Sequence, residues 1–149
     1  MTDEGKGRID ENVGNDGTQY IKWAHLNGYK VWPSISNNTY IQTTSDIMND
    51  YKLRQILIGN IISLVKKYNL DGINIDFENV KKDSGEDFIQ FIREISIMCR
   101  NNGIVLSVDN YPLKSYNDYY NRTEQANVAD YVITMAYDEY FSGSETAGP

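Results

Sequence analysis

Cysteine, histidine and proline are scarce in this sequence, with one, one and three residues respectively among 149. A lone cysteine, Cys99, excludes an intrachain disulfide. It falls in an apolar helical run, where a small hydrophobe belongs in the core. A lone histidine, His25, leaves no material for a His-rich metal site and does not by itself place a Ser–His–Asp set; it is expected on a helix surface. Positive charge is also sparse: 14 Lys and Arg stand against 21 Asp and Glu, for a net charge of −7. With no basic cluster to displace counterions, a nucleic-acid backbone is excluded as partner. No run approaches the roughly 18 apolar residues that a membrane span needs. The polar, Gly-rich residues 1–17 do not make a signal peptide. Either the chain is cytoplasmic as written, or an export segment lies outside it. The glycines there lack the strand–turn–helix setting of a phosphate loop, so neither metal nor cofactor is expected.

Tyrosine is plentiful, with 12 residues. Aromatic rings suit sugar-binding clefts, although core and surface packing account for most of them. GTQYIKWAHLNG reads as a short helix closed by Gly28. YKVWPSIS reads as a strand, with Pro33 awkwardly near its middle. NNTYIQTTSD reads as a loop whose Ser45 or Asp46 caps the next helix. From about residue 49 to 68, Leu53, Ile56, Leu57, Ile61, Leu64, Val65 and Tyr68 recur at spacings of three and four, which predicts an amphipathic helix. Ser84 and Asp87 resemble a capping box ahead of a second such helix carrying Phe88, Phe91, Ile92, Ile95, Met98 and Cys99 and ended by Gly103. IVLSVDNY predicts a strand, a Tyr-rich stretch with a short helix follows, and residues 131 to about 137 predict a last strand. The order is β-α-β-α-β-α-β, with connections long enough for the helical crossovers that parallel strands require.

One stretch stands apart. In DGINIDFEN, residues 71–79, apolar and polar side chains alternate. A strand sends successive side chains to opposite faces, so Ile73, Ile75 and Phe77 form one face and Gly72, Asn74, Asp76 and Glu78 the other. Helices cover both faces of an open doubly wound sheet, and the polar row would be costly there. In a (β/α) barrel only the outer face meets helices, so the row points inward and climbs to the C-terminal rim, where barrel enzymes keep their chemistry. Asp76 and Glu78 lie about 6.6 Å apart along the strand, close enough that both do not ionise freely. One pKa rises and a proton is held, as a general acid requires.

The stretch resembles the signature D-G-x-D-x-D-x-E of glycoside hydrolase family 18, the chitinase family, with Asn74 in place of the first inner Asp. MAYDE, residues 135–139, resembles that family's Met-x-Tyr-Asp segment. VWPSISNN, DGINIDFENV and MAYDEYFSGSETAGP are similar to the bacterial spore-cortex branch of N-acetylglucosaminidases. The resemblance implies a partial (β/α)8 TIM barrel, roughly strands three to six with their helices, so that residues 1–149 are one part of a single catalytic domain. It implies hydrolysis of an N-acetylglucosamine-containing polysaccharide, chitin or peptidoglycan, at a spore or cell envelope. The family is the substrate-assisted exception among retaining glycosidases. Glu78 is then the acid, Asp76 orients the acetamido group and stabilises the oxazolinium ion, and Tyr137 donates to the acetamido oxygen. Asp138, Asn74 and Met135 bind the sugar, with Asn74 bonded to Asp76, and Asp71 and Gly72 support the motif. Plainer roles stand beside these: Asp71 as a turn former, Tyr137 as a core aromatic, Glu78 as an idle rim carboxylate.

A full barrel takes about 250 residues. By resemblance, strands one, two, seven and eight are missing, with the tryptophan that the family places under the reacting sugar. Four strands leave two open edges, so self-association is expected. Two further readings remain: a catalytically silent carbohydrate-binding protein of the same fold, which the intact Glu78 disfavours, and an unrelated open α/β domain.

Overall fold

The computed structural model describes residues 7, 9–11, 13–37, 41–137, 143 and 145. Five helices and four strands alternate along them: α1 (Gly14–Leu26), β1 (Ser34–Ser36), α2 (Ile41–Asn49), α3 (Tyr51–Tyr68), β2 (Gly72–Asp76), α4 (Gly85–Asn102), β3 (Val105–Asn110), α5 (Arg122–Ala126) and β4 (Tyr131–Thr134). Single 3₁₀ turns, Lys82–Ser84 and Asp118–Tyr120, precede α4 and α5.

All strand pairs are parallel, and the order in the sheet is the order in the chain, β1-β2-β3-β4. That order decides the architecture. Crossovers between parallel strands are right-handed. When each one steps in the same direction, every helix lands on the same face of the sheet. A doubly wound sheet would need a reversal, and there is none among the described strands. Burial agrees: Ile73, Ile75, Leu106 and Val108 are at most 1% exposed and share one core with Leu57 and Ile61 of α3 and Phe88, Phe91, Ile92 and Ile95 of α4. Phe77 stacks on Phe91, with ring centroids 5.6 Å apart.

Local chemistry sets the helix ends. Asp50 caps α3, its Oδ1 accepting from the N–H groups of Lys52 and Leu53 at 2.7 and 3.1 Å, which satisfies two of the donors left open at a helix start. Asn69, at φ 53°, closes α3, and Gly103, at φ 67°, closes α4. There the N–H of Ile104 returns to the carbonyl of Cys99 at 2.9 Å.

Several expectations from the sequence are corrected. The segment read as a loop contains α2, so Ser45 and Asp46 lie within a helix and Asp50 is the cap. β1 begins after Pro33, whose carbonyl still accepts from the Asn74 N–H at 3.0 Å, so the missing donor costs the ladder nothing on this side. Ser84 makes no side-chain cap bond to α4. Ile56 and Met98 are exposed, whereas Ile58, Ile62 and Ile89 are buried; the apolar stripe of each helix is rotated from the assumed one. Among the described residues, no helix is long and apolar enough to cross a membrane.

Candidate active site

The site is built on the sheet face away from the helices. Register places Ser34, Asn74, Ser107 and Tyr131 side by side across the four strands, and period two puts Ser36, Asp76, Asp109 and Ile133 in the next row. Both rows open onto a cleft of about 490 Å³ lined by Ser34, Asn74, Asp76, Ser107, Asp109, Ile133, Thr134, Met135, Tyr137 and Trp32. A larger concavity, about 930 Å³, runs along the outer edge of β1 between α1 and the end of α3, with Ile9, Val13, Ile35 and Leu64 in its wall. Of its two acids, Asp10 and Glu11, the second is engaged by Lys67 and Tyr68.

Gly72 lies at the foot of the cleft. A Cβ there would meet the Trp32 ring and the Val105 carbonyl, each at 2.8 Å. Trp32 passes over the glycine to stack on Tyr131, with ring centroids 5.5 Å apart. The motif glycine is thus a requirement of the floor. Asp71 points away from the cleft. Its Oδ2 accepts from the Val31 N–H at 2.9 Å and lies 2.9 Å from His25 Nε2, so it ties α1 to the approach to β1. Burial would raise its pKa, but these hydrogen bonds and the imidazole beside it bring it below the ordinary value. His25 is therefore half-buried against Asp71 and does not sit freely on a helix surface.

Asp76 occupies the middle of the cleft. Among the described residues its buried Oδ1 has no hydrogen-bond partner, and its Oδ2 has only a long contact from Ser34 Oγ, 3.5 Å. Burial, then the negative charges of Glu78 and Asp109, push its carboxyl above the ordinary aspartate range, against the bond from Ser34. The sequence pointed to the rim acid Glu78 as the holder of the proton, whereas the raised carboxyl is that of Asp76. Asn74 does not bond Asp76. Its Nδ2 donates to Asp109 Oδ2 at 2.5 Å and its Oδ1 accepts from Ser107 Oγ at 2.6 Å. The amide is turned across the sheet, because both partners stand on the neighbouring strand.

Glu78 follows β2 at the rim, and side chains from elsewhere pin the backbone around it. The buried Asn37 amide donates to the Glu78 carbonyl at 2.8 Å. Tyr120 Oη donates to the Phe77 carbonyl and accepts from the Val80 N–H, each at 3.0 Å. Tyr119 Oη donates to the Val80 carbonyl at 2.7 Å. Asn79 turns the chain at φ 53°. On the far wall Met135 is buried, while Tyr137 is exposed and its Oη donates to Met135 Sδ at 3.3 Å. Asp138 lies outside the described residues.

The sequence reading passed over Asp109, Ser107, Asn37 and Tyr120. The alternation in VLSVDN puts Ser107 and Asp109 on one face and would have found both. Asn37 and Tyr120 act over separations of about forty residues, and no local pattern announces them. Among the described residues no group of His, Cys, Asp and Glu could hold a metal ion.

A parallel sheet stepping in one direction, with helices on one face and carboxylates climbing the other, defines a portion of a (β/α) barrel with its site at the C-terminal ends of the strands. The family model for glycosyl hydrolases family 18 matches residues 6–149, and the chain belongs to that family. It is 28% identical over 141 residues to the uncharacterized glycosylase YvbX of Bacillus subtilis strain 168, covering 86% of this chain and 41% of that protein. It is 23% identical over 103 residues to the cortical fragment-lytic enzyme of the same organism, covering 65% of this chain and 24% of that protein. The crystal structure of the Bacillus cereus spore cortex-lytic enzyme SleL superposes with a TM-score of 0.85 at 24% identity, over 97% of this chain and 34% of that one. The chain thus spans less than half the length of these relatives.

Proposed function

We propose that this segment carries the acid and the acetamido-orienting carboxylate of a hydrolase that cleaves N-acetylglucosamine-containing glycosidic bonds by a retaining, substrate-assisted route. The observation that carries the reading is Asp76: a raised carboxyl, its Oδ1 buried without a partner among the described residues, one inward step from Glu78. A buried acceptor left without a donor is costly. A turn of the carboxyl toward the cleft, where a substrate amide N–H can reach it, removes that cost.

Glu78, held at the rim by its pinned backbone, protonates the leaving glycosidic oxygen. The substrate's own acetamido oxygen attacks the anomeric carbon as that bond breaks. Asp76 accepts from the acetamido N–H and, once ionised, stabilises the oxazolinium ion. Tyr137 donates to the acetamido oxygen and aligns it. Water then opens the ring, and Glu78, now a carboxylate, takes its proton. Met135 and Asp138 contribute to holding the sugar, and Asn74 acts through its neighbours. The polymer is spore-cortex peptidoglycan or a chitin-like chain, and the envelope is the place of action; the similarity to cortex-lytic enzymes supports this choice.

The test is a complete barrel in which this chain replaces the matching part of SleL, assayed on a chromogenic N-acetylglucosaminide oligomer. Glu78→Gln should lower turnover by roughly 10²- to 10⁴-fold with substrate binding retained. Near-normal turnover by the Gln variant, or no hydrolysis by the parent chimera, counts against the reading.

A further inference from the structure

Asn74 stands two residues before Asp76 on the same inward row, close enough for its amide to turn along the strand and donate to the Asp76 carboxylate. It does not. The reason lies on β3. Ser107 bonds Asn74 Oδ1, but a hydroxyl donates and accepts equally well, so Ser107 alone cannot fix which end of the amide faces it. Asp109 can: an ionised carboxylate only accepts, and it takes the Asn74 Nδ2 proton. With Nδ2 committed to Asp109, Oδ1 is left to Ser107, and the whole amide is turned away from Asp76. Asp76 Oδ1 then remains buried with no partner among the described residues.

The register brings Asp109 close to Asp76 as well. Ile75 pairs with Val108, so the next step along both strands sets Asp76 beside Asp109, on strands about 4.8 Å apart. The groups facing Asp76 are Glu78 on its own strand, Asp109 on β3, the hydroxyls of Ser34 and Ser36 on β1, and Tyr137 and Met135 beyond β4. No cation is among the described residues lining this cleft. Its field is negative, which suits a reaction that develops positive charge on the sugar.

We propose that Asp109 is a positioning residue for the reaction assigned above: it holds the Asn74 amide across the sheet and thereby leaves the Asp76 carboxyl unbonded by Asn74, for the substrate's amide N–H to engage. The proposal rests on the hydrolase reading for its purpose. Its geometry can be tested without any activity, so the two fail separately.

The experiment is a pH titration of the isotopically labelled 149-residue chain by NMR, following the carboxyl carbons of Asp76 and Asp109 and the side-chain NH₂ of Asn74. In the wild-type chain the Asn74 NH₂ resonances should move with the midpoint of Asp109 and not with that of Asp76. Asp109→Ala removes the acceptor at the cleft surface. In it the Asn74 NH₂ should follow Asp76 instead, and the Asp76 midpoint should fall, since it loses a neighbouring negative charge and gains a donor. The lost charge alone lowers that midpoint, so the Asn74 NH₂ resonances are the readout that a merely structural strand-to-strand bond would not move. Wild-type Asn74 NH₂ resonances that track Asp76 overturn the proposal whether or not the variant folds. So does a folded Asp109→Ala chain whose Asn74 NH₂ resonances do not follow Asp76.

Discussion

Tyr120→Phe isolates the contribution of one oxygen atom to the frame that holds Glu78. Tyr120 is 3% exposed. Its ring meets Phe88 edge-on, with centroids 5.5 Å apart, and phenylalanine keeps that contact and nearly all the volume. What disappears is one hydroxyl that donates to the Phe77 carbonyl and accepts from the Val80 N–H. Two buried backbone groups then lack a partner. Each such group costs about 1–3 kcal/mol, so the substitution should destabilise the fold by about 2–6 kcal/mol. Against a typical total of about 5–15 kcal/mol that is a large fraction. Tyr119→Phe is the control. Its hydroxyl serves one carbonyl from a half-buried position, where water can take its place, so about 1 kcal/mol or less is expected. The assay is urea unfolding, with hydrogen exchange of the Val80 amide as the local readout. Because Glu78 lies between the two anchored groups, Val80 should lose protection beyond the global loss. A Tyr120→Phe cost no greater than that of Tyr119→Phe, with Val80 protection unchanged, would refute the reasoning.

Asp76→Asn tests the electrostatics of the cleft from the stability side. The folded-state pKa of Asp76 lies above its ordinary value, so the folded chain binds that proton more tightly than the unfolded one. The resulting stabilisation is present below the ordinary aspartate pKa, about 3.9, and is lost as pH rises through the raised value. The Asn variant should therefore be more stable than wild type at neutral pH, and the gain should vanish toward acid; urea melts across that range that show a constant difference, or none, contradict the assignment. We also expect self-association of the 149-residue chain. Tyr20, Trp23 and Tyr29 are exposed and form a continuous ring ladder with centroid spacings of 5.9 and 5.8 Å, apolar surface of a kind that monomers seldom leave uncovered. Light scattering should show dimers or larger species that Trp23→Ser reduces, and a monomer at every concentration would set this aside.

The alternation in residues 72–78 made the inner and outer faces of β2 legible, and with it the barrel reading, because a strand's period of two is fixed by covalent geometry. The same rule applied to β3 reaches Asp109. What it cannot reach is direction: that Asn74 turns to Asp109 and not to Asp76 depends on a neighbour that only register supplies. α2 was illegible for a different reason. Its sequence, IQTTSDIMN, is short, polar and Thr-rich, and the helix is anchored by tertiary contacts, namely the full burial of Ile47 and Met48 and the bond from Asn37 to Thr44. Tertiary packing overrode weak propensity. The bond from Asp71 to His25 spans 46 residues. His25 alone looked like surface and Asp71 like a turn former or motif support, and only the fold brings them together.

The central claim is that the substrate's own acetamido group is the nucleophile, presented by Asp76 and Tyr137 to a bond that Glu78 protonates. The direct measurement is the rate of the complete chimeric barrel on a matched pair of chromogenic oligomers, one with the 2-acetamido group on the reacting sugar and one with a 2-hydroxyl in its place. Hydrolysis of the acetamido substrate alone, with no covalent sugar–enzyme ester trapped during turnover, is the expected result. Comparable rates on both substrates, or an ester on any carboxylate of the site, would contradict it.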